Sequence, residues 1–342
     1  MEAIDFVVTW VDGSDSLWKE EKRKYECQSP VAGMLPDDSN TECRYRDLGL
    51  LRYWFRGVEQ CAPWVNKVFF ITCGQRPDWL AVDHPKLVWV QHRDYIPERF
   101  LPTFNSRTIE LNLHRIKELS EHFVLFNDDV FLTSSVSPEY FFREGYPVLS
   151  SSLRYPDYVR LGNWSRIIFN DYCLVNQSFD IGRSIWANRK KWFSIPELGL
   201  KKALRNMLCF WANKSLPTGH YGHLAQPHLK STVAEVWEKC PDVMETTCRH
   251  KFRSDDQVNQ WLLCAWNQAA GRFFPATAGK RGRSIQIVSS YMDGILSMIT
   301  EQSYPQICLN DVGDNTEAEY NVTGIISAFD QVFPRKSSFE LY

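Results

Sequence analysis

The feature of this sequence that most constrains its fold is an alternation. Short apolar runs rich in β-branched and aromatic residues stand at Ile4–Val11, Val65–Thr72, Lys86–Gln91 and Phe123–Phe126. Between them lie stretches with apolar residues at helical spacing: Leu48–Cys61 carries Leu48, Leu51, Trp54, Phe55 and Val58 on one face, and Thr108–Leu119 carries Ile109, Leu113, Ile116 and Leu119. Runs apolar on both faces mark strands buried on both sides, so the alternation predicts an α/β fold: a mainly parallel sheet with flanking helices. Ser16–Cys27, Thr232–Lys239 and Ser254–Gln268 read as further helices, the last with Ser254 as its N-cap. Leu153–Trp211 is less regular, aromatic and basic, and no motif stands out after Gly282.

Composition narrows the function classes. A chain of 342 residues with 44% hydrophobic content forms one large domain or two intimately packed ones with a substantial core. Its 39 basic and 41 acidic side chains leave a net charge of -2, which excludes a nucleic-acid-coating surface. The 13 Trp suit either core filling or the aromatic faces of a sugar-handling cleft. The opening MEAIDFVVTWVDG has no basic segment followed by a long apolar one, and no stretch has the length of a membrane span. The expectation is a cytoplasmic protein, or one associated peripherally with a membrane. Ten Cys without a Cys-x-x-Cys argue against structural zinc, and Cys61, Cys73 and Cys264, lying in apolar runs, read as buried thiols.

In a parallel sheet ligands sit beyond the carboxyl ends of strands, which places Asp12–Asp15, Gly74 and Asn127–Asp129 along one rim. No glycine-rich dinucleotide or P-loop motif accompanies them. Adjacent carboxylates at Asp128 and Asp129 suit a shared divalent cation, or a solvated turn; strand alternation lets only one of them face it. Asp12 with Gly13 fits a ligand contact or a hydrogen-bonded turn. Three histidines, His220, His223 and His228, compete for the role of general base, and local sequence does not choose among them. Arg253, ahead of the predicted helix, suits a phosphate or an ion pair with Asp255 and Asp256.

Taken together these segments resemble a family. IDFVVTWVDGSD at Ile4–Asp15 resembles the first signature block of the Stealth sugar-phosphate transferases. The stretch Arg44–Leu80, continuing through LPTFNSRTIELNLHRI and LSEHFVLFNDDVFL to Leu132, resembles the second. HLAQPHLKS at His223–Ser231 and KFRSDDQVNQWL at Lys251–Leu262 are similar to the third and fourth. The likeness is to the bacterial capsular polysaccharide phosphotransferases, and more distantly to the catalytic subunit of the animal enzyme that makes the lysosomal mannose-6-phosphate tag.

The resemblance implies a GT-A-like nucleotide-sugar transferase core over residues 1–285, with 286–342 a C-terminal extension. It implies Mg²⁺ or Mn²⁺ at Asp128 and Asp129, a UDP-sugar donor, an oligo- or polysaccharide acceptor and capsule assembly proteins as neighbours. His223, Arg253, Asp128 and Asp129 fall on its catalytic positions; Asp12, Gly13, Asn105, Arg115 and Lys230 fall on its substrate-binding positions. Ala225 stands where the third block often has Pro, and His228 where it often has an apolar aromatic residue. The competing expectations are a metal-dependent glycosyltransferase that releases UDP, and a non-catalytic carbohydrate- or nucleotide-binding module.

Overall fold

The computed structural model describes residues 2–27, 40–154, 163–219, 222–277, 279, 281–311 and 316–341. The chain opens with β1 (Ile4–Thr9), α1 (Ser16–Glu26), α2 (Leu51–Cys61), β2 (Val68–Thr72), β3 (Leu87–Gln91) and α3 (His92–Tyr95). Next come α4 (Ser106–Leu111), β4 (His122–Asn127), β5 (Val130–Leu132), β6 (Phe142–Arg143), β7 (Tyr146–Ser150) and β8 (Leu153–Arg154). A helical stretch follows: α5 (Asn163–Ser178), α6 (Ile181–Ala187), α7 (Arg189–Trp192), α8 (Ile195–Leu198) and α9 (Leu200–Asn213). Then come β9 (Thr218–Gly219), β10 (Gln226–Leu229), α10 (Lys230–Lys239), α11 (Pro241–Arg249), α12 (Gln260–Ala269) and β11 (Phe274–Ala276). The chain closes with β12 (Arg283–Gln286), α13 (Met292–Thr300), β13 (Gln306–Asn310) and α14 (Thr316–Val332).

The central sheet has the order β10-β4-β1-β2-β3. β1 runs parallel to β2 and β4, β2 runs parallel to β3, and only the edge strand β10 is antiparallel. The fold is therefore α/β with a mainly parallel sheet, as the alternation predicts. Successive side chains point to opposite faces, so each strand feeds two cores. Phe6, Val8, Phe70 and Phe126 pack with Trp54, Phe55 and Phe329 on one side, while Val7, Phe69, Ile71 and Leu125 pack with Trp261 and Trp266 on the other.

Residues 286–342 contribute to the first of these cores. β13 lies between β12 and β5. Buried Arg56 of α2 grips Glu340 through Nε to Oε1 at 2.8 Å and Nη2 to Oε2 at 3.0 Å.

Four expectations need correction. The predicted helix Thr108–Leu119 is broken: α4 stops at Leu111, because the Asn112 amide donates to the Thr108 carbonyl at 2.8 Å, and a short 3₁₀ turn Leu113–Arg115 follows. The helix placed at Ser254–Gln268 begins only at Gln260, capped by Asn259, whose Oδ1 accepts from the Trp261 amide at 2.8 Å. Ser254 spends its hydroxyl on Asp256 instead. Leu153–Trp211 is not irregular but mostly helical. Cys61 and Cys264 are buried as expected, but Cys73 lies exposed just beyond the end of β2.

Candidate active site

The carboxyl ends of the parallel strands open onto a cleft of about 570 Å³. β4 runs out at Asn127, and Asp128 and Asp129 turn the chain into β5. All three line the cleft together with Asp47, Glu110, His223 and Arg253. Asn127 Nδ2 lies 2.8 Å from His223 Nε2. Burial pushes the Asp128 carboxyl up to about 8, and the neighbouring Asp129 and Asp47 carboxylates push in the same direction. Burial also raises Asp47, with Asp12 adding to it. Glu110, buried beneath the cleft, is raised to about 7 by burial, against the pull of Arg253 and Arg107.

Asp129 is the centre of the arrangement. Its Oδ2 accepts from the Cys308 thiol at 3.4 Å, while its Oδ1 is buried and has no hydrogen-bond partner among the described residues. Ligand atoms of Asp129, His223 and Cys308 all lie within 4.8 Å of one another. Burial, reinforced by Asp129, holds the Cys308 thiol well above its ordinary range, so it stays protonated.

Arg253 lines the same cleft. Its backbone is clamped by Asn40, which donates to its carbonyl and accepts from its amide, each at 3.1 Å, and its Nη2 donates to Ser106 Oγ at 2.9 Å. The nearby acids are engaged elsewhere: Asp255 pairs with Arg166, and Asp256 with His250 at 3.0 Å. Arg253 sits on a loop well ahead of α12 rather than at a helix terminus.

The remaining sequence-predicted residues divide. Asp12 and Gly13 border an adjoining cavity of about 420 Å³ that shares Tyr45, Arg46 and Asp47 with the cleft. Asp12 Oδ1 accepts from the Ser14 amide at 2.8 Å and hydroxyl at 2.6 Å, the turn arrangement weighed above. A Cβ at Gly13 would lie 2.1 Å from the Tyr45 carbonyl oxygen, so close passage against Tyr45 demands glycine there. Asn105 is fully buried behind the cleft, capping α4 and donating to the His250 carbonyl at 3.3 Å.

Arg115 and Lys230 are not brought to the cleft. Arg115 bonds Asn112 Oδ1 at 2.9 Å and lies over the Trp237 ring, 4.9 Å from its centroid. Lys230 Nζ holds the Ile116 and Leu119 carbonyls at 2.7 and 3.0 Å. His228 is buried on β10, 3.4 Å from Gln260 Oε1, and burial lowers it to about 4, so it is neutral and remote from the rim. His220 falls outside the described residues. Of the three histidines, His223 is the one the described structure places in the cleft.

Sequence comparison converges on the same segments. The models of Stealth protein CR1, conserved region 1, and CR2, conserved region 2, match residues 2–30 and 44–148. A capsular polysaccharide phosphotransferase WcwK of Streptococcus pneumoniae is 41% identical over 339 residues, covering 98% of each chain. The receptor polysaccharide phosphotransferase WefC of Streptococcus oralis is 38% identical over 345 residues, covering 100% of both. The chain belongs to the Stealth family. Among solved structures, the galactosyltransferase LgtC in complex with donor and acceptor sugar analogs is similar to this Stealth chain at a TM-score of 0.36, with 11% identity over 94% of this chain and 95% of that one. That likeness is too loose to bear on the chemistry.

The donor set of this Stealth chain fits a divalent cation. An orphaned buried carboxylate oxygen on Asp129, beside an Asp128 that neighbouring charge and burial hold near neutrality, is an arrangement a cation relieves. Hard cations such as Mg²⁺ or Mn²⁺ favour such oxygens over the soft sulfur of Cys308. Two cleft residues, Asp47 and Glu110, carried no separate sequence signal. Asp47 sits inside the second block, and Glu110 occupies a helix position that reads as solvent-facing.

Proposed function

We propose that this chain transfers a hexose-1-phosphate or N-acetylhexosamine-1-phosphate from a UDP-sugar to a hydroxyl of a carbohydrate acceptor, in capsular or cell-surface polysaccharide synthesis at the cytoplasmic side of the membrane. One observation carries the reading. A histidine, an arginine and two adjacent acidic residues from three separate sequence segments converge on one cleft, in a chain that matches polysaccharide phosphotransferases over nearly its full length.

The acceptor oxygen attacks the phosphorus that bears the sugar's anomeric oxygen. The bond from that phosphorus to the bridging oxygen breaks, UMP departs, and a phosphodiester remains. His223 takes the hydroxyl proton. Asn127 governs this. Its Nδ2, 2.8 Å from Nε2, occupies that nitrogen's lone pair, so proton uptake requires the amide turned over, with Oδ1 accepting from Nε2–H and Nδ1 left bare. Arg253, held by Asn40 and Ser106, meets the non-bridging phosphoryl oxygens, where negative charge is greatest in transfer. A divalent cation held by Asp128 and Asp129 supplies Lewis-acid stabilisation of diphosphate charge when bound.

The deciding experiment incubates the protein with Mg²⁺, a panel of UDP-sugars and oligosaccharide acceptors, and identifies the released nucleotide. Acceptor-dependent UMP supports phosphoryl transfer. Acceptor-dependent UDP would mean attack at the anomeric carbon and make this a glycosyltransferase. Nucleotide or sugar binding without turnover of any donor would leave a binding module.

A further inference from the structure

Helix α9 is turned inside out. Its small and polar side, Ala203, Asn206 and Cys209, is buried. Its large apolar residues face outward: Leu200 is 59% exposed, Leu204 46%, Met207 47%, Leu208 65% and Trp211 81%. These five fall at the spacing of a single helical face, the face that a helix in a globular protein normally buries. Asn206 fixes the rotation. Its amide donates to the Ser151 and Trp192 carbonyls at 2.6 and 2.9 Å, and its Oδ1 accepts from the Leu153 amide at 2.9 Å. Rolling the apolar stripe inward would orphan those three buried groups. Ile195 of α8, 54% exposed, extends the apolar surface just ahead of α9.

Charge tells what this surface meets. Residues 181–216 hold eight of the 39 basic side chains of the chain and one of its 41 acidic ones, Glu197. The segment therefore carries +7 while the whole chain carries -2, which leaves -9 on the rest. Exposed Lys201 and Arg205 run along one edge of the apolar stripe, exposed Lys214 follows its end, and exposed Arg189 and Lys190 stand on neighbouring α7. An apolar stripe alone would suit any partner. A stripe of Leu, Met and Trp with a basic border is the pattern of a helix lying in the plane of an anionic membrane surface, its apolar side among the acyl chains and its cations among the headgroups. No helix of the described residues is long and apolar enough to cross a membrane.

We propose that the exposed face of α9 seats the protein on an anionic phospholipid bilayer. This stands independently of the phosphotransfer reading. The stripe belongs to a stretch that ends at β9, four residues ahead of His223 in the chain.

The test is cosedimentation of the full chain with phosphatidylcholine vesicles, with and without phosphatidylglycerol. Binding is expected only with the anionic lipid, and is expected to weaken as salt rises. Leu208→Gln/Trp211→Gln should weaken it about tenfold or more, with little shift in the unfolding midpoint, because those side chains are 65% and 81% exposed. Lys190→Glu/Lys201→Glu, which leaves the apolar face intact, should do the same. Three results would overturn the proposal: no sedimentation with anionic vesicles, unaltered binding by both variants, or a dimer in light scattering that the glutamine variant dissolves. The last would make this face a contact between copies of the chain.

Discussion

Asn127 and His223 meet at 2.8 Å although 96 residues separate them in the chain. That contact, with Arg253 lining the same cleft, makes the cleft a reaction site in our reading, so single substitutions there have sharp expected outcomes. His223→Ala should lower kcat by about 10²–10⁴-fold with little change in donor affinity, as loss of a general base does. Steady-state kinetics against donor concentration checks this, and near-normal turnover would remove His223 from the mechanism.

Glu110 gives a prediction on stability. Its folded-state value of about 7 lies above its ordinary 4.5, so between those pH values the folded protein keeps a proton that the unfolded chain has lost. Stability should therefore fall as pH rises through that window and level off above it, by on the order of 3 kcal/mol. Glu110→Gln should remove this contribution and leave that of Asp128, so its urea midpoint should match wild type near pH 4.5 and exceed it by pH 8. Parallel curves would rule out a buried, raised Glu110.

At the scale of elements, the strands were the most legible part of the sequence because burial on both faces leaves continuous apolar runs: β1, β2, β3 and β4 fall within a few residues of expectation. Helices were read well where one face is apolar, as in α2, and badly where a polar side chain decides. Asn112 ends α4 by taking a backbone carbonyl, and Asn259 rather than Ser254 starts α12; neither choice leaves a mark in hydrophobic spacing. The site was legible to a similar extent. Asp128, Asp129, His223 and Arg253 reach the cleft, but membership of a motif block does not say which way a side chain points, and Arg115 and Lys230 turn to neighbouring backbone and Asn112 instead. One close helix–strand contact is testable directly. A Cβ on Gly57 of α2 would stand 2.6 Å from the Leu132 carbonyl oxygen of β5. Gly57→Ala should therefore cost about 2 kcal/mol despite the better helix propensity of alanine, as seen in the denaturant midpoint.

Across the whole molecule, the two ends of the chain are joined by the Arg56–Glu340 pair, 284 residues apart and buried on both sides. Removing Glu340 leaves buried Arg56 with Asp330 Oδ1 at 3.4 Å and the Phe333 carbonyl at 3.1 Å as remaining partners, and none for Nε or Nη2 among those bonds. Glu340→Ala should destabilise by about 2–3 kcal/mol in equilibrium unfolding, below the cost of a wholly unpaired buried charge. A loss near zero would mean that residues after α14 rest on the core without supporting it.

The little ladder between β8 and β9 has a wider consequence. Leu153 pairs with Gly219 and Arg154 with Thr218, so the two stems of the α5–α9 stretch are clasped together, while Ile168, Tyr172, Val175, Ile185 and Trp192 within it pack into the second core. A stretch clasped at its stems and packed on its inner side is left free to vary on its outward faces. Lineages can resurface those faces while the stems stay in register, the inner side stays packed and the reaction chemistry stays put. Descendants of one ancestral catalyst could in this way come to address different cellular surfaces.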